Sequence, residues 1–181
     1  MALDPKMALT RAMRAYELGR ARHAATFALP LAALSVVAAC LGTRPATACV
    51  VGLALLATAW FLLWRGQTLG RAVFPGILAG LVPLALAVGA RAYGHVCTGS
   101  QCVSLCIPAC TVGGVLAGFL IARAGKHAAS RGRFLFGASA LAVLVGSLGC
   151  SCVGYGGVAG LGVGLLVTLL PASLTPRRAA G

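Results

Sequence analysis

The chain has 181 residues, 60% of them hydrophobic and 9% charged, with a mean hydropathy of +0.96; a soluble domain carries roughly 25% charged residues, so a water-soluble globule is excluded. Its formal net charge of +13 comes from 15 lysines and arginines against two acids, but no basic stripe on a soluble face accompanies it, which excludes nucleic-acid binding. With Asp4 and Glu17 as the two acids, catalysis by paired carboxylates has no residues to work with.

Residues 1–23 are the first element. Asp4 followed by Pro5 has the pattern of an N-cap and first helical position. Leu9, Ala12, Met13 and Tyr16 then line one face while Arg11, Arg14 and Glu17 take others. The expectation is a basic amphipathic helix of about four turns. Leu9, Met13, Tyr16, Arg11 and Arg14 are its expected contact residues. They serve either to lay it on the inner leaflet of a membrane or to dock its apolar stripe in a groove of a cytoplasmic protein.

Residues 24–174 hold six apolar runs: Ala24 to Leu41, Ala48 to Trp64, Ala72 to Ala90, Ile107 to Ala122, Phe134 to Cys150, and Val153 to Leu174. A spanning helix needs roughly 17 to 25 residues, so the fourth run must borrow from Cys106 or Arg123. A transmembrane β-barrel would alternate apolar and polar residues, and these runs are apolar on every face. The first run is longer than a signal-peptide core and five more follow, so it reads as a retained helix. The fold class expected is all-α, a polytopic integral membrane protein with a single bundle of six transmembrane helices. Residues 175–181 are expected to be a short cytoplasmic tail.

Orientation follows from the connections. Arg44 and Arg91 alone among the 15 basic residues fall in odd-numbered connections; the rest lie in the first 23 residues, the even connections and the tail. By the positive-inside rule both termini are cytoplasmic, and the basic collar meets anionic lipid head groups. A bacterial inner membrane is the expected location.

Within the runs the glycines describe packing. Gly76 and Gly80 in the third run, Gly114 and Gly118 in the fourth, and Gly156, Gly160 and Gly164 in the sixth recur every four residues. Such small residues let helix backbones approach closely where lipid gives no hydrophobic drive for association. One of these stripes is also available for a homodimer. Pro30, Pro75 and Pro83 read as kinks. No charged residue lies within a run, which argues against proton-coupled transport.

The eight cysteines carry the functional signal, because Cys40, Cys49, Cys97, Cys102, Cys106, Cys110, Cys150 and Cys152 all fall at or near the odd, outer connections. Cysteine as a small hydrophobe would scatter through the spans instead. Three chemistries fit the cluster. Structural disulfides suit an oxidising outer face with short loops and an even count. In that reading Cys40 bonds Cys49, and Cys150 and Cys152, too close to bond each other, reach the Cys97 to Cys110 cluster. Redox or soft-metal sensing is the second: thiolates suit zinc, copper(I) or cadmium. Cys102, Cys106 and Cys110, spaced by four, would share one helical face to which His95 adds an imidazole. Thiol oxidoreductase chemistry is the third, against which stands the lack of any Cys-x-x-Cys. No Cys-x-x-Cys-His is present for haem attachment either.

Six spans, a pre-helix segment from Met7 to Arg22 and the cysteines from Cys97 to Cys110 together resemble the six-helix membrane anti-sigma factors, negative regulators of extracytoplasmic-function sigma factors. The resemblance implies that the cytoplasmic N-terminal part holds a sigma factor and that outward-facing cysteines sense metal or oxidative stress. On that basis the chain is expected to be a non-enzymatic regulator. The alternatives are a structural membrane protein with disulfide-stapled outer loops and a membrane thiol oxidoreductase.

Overall fold

In a medium without water every backbone N–H and C=O must be satisfied within its own segment, and continuous apolar runs do this as helices. The computed structural model of the chain describes residues 5–41, 45–93, 95–98, 101–150 and 155–174. Among these residues six α-helices follow one another: α1 (Pro5–Leu41), α2 (Pro45–Arg65), α3 (Gln67–Tyr93), α4 (Cys106–Ala124), α5 (Arg131–Cys150) and α6 (Tyr155–Leu174). All six are long and apolar enough to cross a membrane. The fourth helix includes both Cys106 and Arg123, as its length requires. A single 3-10 turn, Gly125–His127, joins α4 to α5.

Two features depart from an outline of six bare spans. A short antiparallel ribbon, β1 (His95–Thr98) and β2 (Gln101–Ser104), fills the α3–α4 connection. And α1 has 37 residues without a break at 23/24, so the expected amphipathic segment and the first span are one continuous helix. At 1.5 Å per residue α1 is about 56 Å long, against a hydrocarbon core of about 30 Å.

Packing places α5 at the centre, with 56% of its span buried, and α1 at the edge, with 19%. The contacts are made backbone to backbone. A Cβ added to Gly76 would lie 2.9 Å from Cα of Ala138, and one on Gly80 3.0 Å from Cα of Ala142. Gly149 meets Leu84 and Ala87 further along both helices, so α3 and α5 run parallel. In the same way α4 and α6 run parallel: Gly114 sits against the Leu161 carbonyl, Gly118 against Thr168, and Gly164 against the Thr111 carbonyl. Pro83 of α3 fills the space over Gly113 of α4, which joins the two pairs. The core between them is built of small residues, Ala72, Ala79, Ala117, Ala138 and Ala142, closed by Ile121, Leu161 and Leu165.

Of the expected packing glycines, Gly156 differs from the others. It is exposed, and a Cβ there would only touch Ile107 at 3.9 Å, because it precedes the stretch where α6 closes on α4.

Outward faces carry the large side chains. Val50, Leu53, Phe74, Val88, Phe119, Phe136 and Val167 are all more than half exposed, an arrangement suited to lipid and unsuited to water. Hydroxyls along the helices bond back to their own helix, as Ser35 to the Leu31 carbonyl, Thr111 to Ile107 and Thr168 to Gly164. This satisfies them without a partner from another helix.

Candidate functional site at the cysteine-bearing end

Alternation of helix direction gathers the C-terminal ends of α1, α3 and α5 with the N-terminal ends of α2, α4 and α6. Ser35 of α1 against Gly52 of α2, Ala87 of α3 beside Cys110 of α4, and Thr111 of α4 against Gly160 of α6 fix this end. Cys40, Cys49, Cys106 and Cys110, the ribbon with Cys97 and Cys102, and the last residue of α5, Cys150, all belong to it. The basic residues Arg65, Arg71, Arg123, Lys126, Arg131 and Arg133 belong to the opposite end.

Two sequence expectations about the cysteines are corrected. Cys40 and Cys49 are free, exposed thiols and do not bridge. The reason lies in α2, whose buried stripe is Ala48, Gly52, Leu55, Ala59 and Leu62. Cys49 is one residue on from Ala48, about 100° round the helix at 3.6 residues per turn, and so points away from the face that receives α1. Nor do Cys102, Cys106 and Cys110 share one helical face. The helix begins at Cys106, while Cys102 lies in β2, opposite Cys97 in register.

What remains is a pair of unlike cysteines on the first turns of α4. Cys106 is a free, half-buried thiol. Cys110, one turn on, is fully buried and disulfide-bonded, and its partner is none of the free thiols Cys40, Cys49 and Cys106. Around Cys110 pack Ala87 of α3 and Val158 of α6. The expected ligand His95 falls in β1; its side chain, those of Cys97, Cys102 and Cys150, and the whole of Cys152 lie outside the described residues. Among the described residues no three or more His, Cys, Asp or Glu side chains come together to hold a metal ion.

The ribbon went unforeseen, although a signal was present. Gly99-Ser100 separates His-Val-Cys-Thr from Gln-Cys-Val-Ser, and two residues of this type between short β-prone runs mark a hairpin. Beside it, Leu86, Gly89 and Tyr93 of α3 face Leu105, Pro108 and Val112 across an apolar groove of about 430 Å³.

At the basic end, Arg20 donates from its guanidinium to the Trp64 carbonyl. Gly66, at φ 65°, closes α2 by donating its N–H to the carbonyls of Leu62 and Leu63 at 3.2 and 3.1 Å, as a left-handed C-terminal cap does. Trp60 and Trp64 stack at 5.8 Å, Arg65 lies over Phe61 at 5.2 Å, and Arg20 over Tyr16 at 5.7 Å. Aromatic and cationic side chains together form the kind of belt found at a membrane–water boundary. Toward its N-terminus α1 is open: Leu9, Met13 and Tyr16 are each more than 60% exposed, and Arg11 and Arg14 are exposed beside them. The sequence expectation named the apolar stripe but missed Arg20 as its anchor; the sequence mark of that contact is Gly66 just after the second run, where a helix stop is due.

The geometry defines a polytopic helical protein of membrane-spanning type with a thiol-bearing end and a basic end. Comparison with protein families, with curated proteins and with solved structures gives no match for this chain.

Proposed function

We propose that the protein is a regulator in a bacterial inner membrane whose cysteine-bearing end faces the oxidising side, and whose α1 extension docks a cytoplasmic protein. Both termini are then cytoplasmic, in keeping with the concentration of arginine and lysine at the basic end. The observation that carries this reading is the coexistence, one helical turn apart, of a free thiol at Cys106 and a disulfide at Cys110. A neighbouring thiol offers the disulfide an internal partner for exchange, for which a purely structural staple has no use. The second support is the far end of the molecule. There, α1 runs on past its anchor at Arg20 and leaves Leu9 and Met13, with most of Tyr16, exposed. A sigma factor is the docking partner suggested by the resemblance to membrane anti-sigma factors.

The test is transcriptional. Cells carrying the wild-type chain, a Cys106→Ser variant and a variant lacking residues 5–19 are exposed to a thiol oxidant, and transcripts are profiled. An oxidant response present with wild type and lost with both variants supports the regulator. A response unaffected by either variant overturns it, leaving the stapled structural protein.

A further inference from the structure

We propose that Cys106 is the exchanging thiol of an internal disulfide switch, with Cys110 as the sulfur it attacks. This deepens the redox reading above and rests on it for its biological use, though not for its chemistry. Residues four apart on a helix lie on the same face with Cβ atoms about 5–6 Å apart, and Cys106 and Cys110 have that spacing on α4. One is a thiol and the other already half of a disulfide. This is the starting arrangement for thiol–disulfide exchange, which needs only a thiolate within reach of a bridged sulfur.

The step balances without any outside oxidant. Cys106 loses its proton, and its sulfur attacks Sγ of Cys110. The Sγ–Sγ bond of Cys106 to Cys110 forms as the bond from Cys110 to its present partner breaks. The partner leaves as a thiolate and takes up the proton. One disulfide and one thiol are present before and after, so nothing is oxidised or reduced overall. Reduction or oxidation by an external dithiol or disulfide then acts on whichever isomer is present.

Position within the helix makes the step feasible. A disulfide needs its Cβ atoms at about 3.5–4.5 Å, so the pair must close by a small amount. Cys106 is the first residue of α4, and its N-cap Leu105 gives no side-chain cap. The first-turn N–H groups have no partner within a helix in any case, and Pro108 has none to give. The first turn is held by the Ala109 N–H to the Leu105 carbonyl at 3.1 Å, so Cys106 can tilt toward Cys110 at small cost. Cys110 cannot move to meet it, being fully buried among α3 and α6 side chains. The Cys106–Cys110 isomer therefore forms by movement of the first turn of α4, which places the exchange at the mouth of that helix.

The experiment uses the full chain in lipid nanodiscs, kept without oxidant at mildly alkaline pH, quenched with acid, alkylated and digested with trypsin. Cleavage after Arg91 and Arg123 isolates Cys97, Cys102, Cys106 and Cys110 on one peptide. The expected result is two populations with the same number of alkylated cysteines. In one, Cys106 is alkylated and Cys110 bridged elsewhere; in the other, Cys106 is bonded to Cys110 and a different cysteine is alkylated. Cys106→Ser and Cys106→Ala are each expected to lose the second population entirely while keeping the Cys110 bridge. A single population in the wild type, or a second one that persists in both variants, overturns the proposal. The regulator reading fails separately, by the absence of a transcriptional response while the two isomers are still found.

Discussion

The Arg20 guanidinium caps the C-terminal end of α2 by donating to the Trp64 carbonyl, tying the middle of the first helix to the end of the second. A Cβ on Gly66 would lie 2.6 Å from the same Arg20 Nη2, so a side chain there would have to displace the end of Arg20, in addition to adopting the left-handed backbone. Arg20→Ala is expected to lower stability by about 1 kcal/mol, the worth of an exposed charge-assisted hydrogen bond. Gly66→Ala is expected to cost about 1–2 kcal/mol for the left-handed backbone alone. Thermal unfolding in detergent checks both, and a Gly66→Ala protein as stable as wild type would refute the account of the cap.

Glycine contacts separate along α6. Gly164→Ala and, on α4, Gly114→Ala each push a methyl group into a backbone carbonyl of the facing helix and are expected to cost about 1–3 kcal/mol. Gly162 has nothing within 4 Å, so Gly162→Ala is expected to be neutral or to stabilise by up to about 1 kcal/mol through helix propensity. Gly156→Ala is expected to behave like Gly162→Ala rather than like Gly164→Ala. Unfolding by titration with a denaturing detergent ranks the four.

Thiol reactivity is expected in a fixed order. Cys40 and Cys49, free and exposed, react with maleimide first, Cys106 more slowly, and Cys110 only after reduction. Cys110→Ser removes a disulfide and is expected to destabilise the fold by about 2–4 kcal/mol. Labelling of Cys110 without reductant in the folded protein would contradict the bridge.

Removal of residues 5–19, which forfeits the Tyr16–Arg20 contact, is expected to lower the stability of the bundle by no more than about 1 kcal/mol, the worth of a cation–π contact at an exposed site. Leu9, Met13 and Tyr16 are exposed, and the anchor at Arg20 is retained. A large loss on truncation would show that the extension packs on the bundle rather than serving a partner.

Six helices long and apolar enough to cross a membrane were legible in the sequence, since charge-free runs of this length satisfy their backbone as helices. The sequence likewise determined the segregation of cysteine from arginine, because charge and span order are written in linear form. Tertiary structure alone decided which cysteines meet. The Cys40–Cys49 bridge fails on a rotation of about 100° between Cys49 and the buried stripe of α2, and the three-cysteine face fails because α4 starts at Cys106. Spacing along the chain fixes neither a helix's rotation about its axis nor its first residue. Those depend on neighbouring contacts such as Ser35 on Gly52 and Pro83 on Gly113, which become visible only when the helices stand side by side.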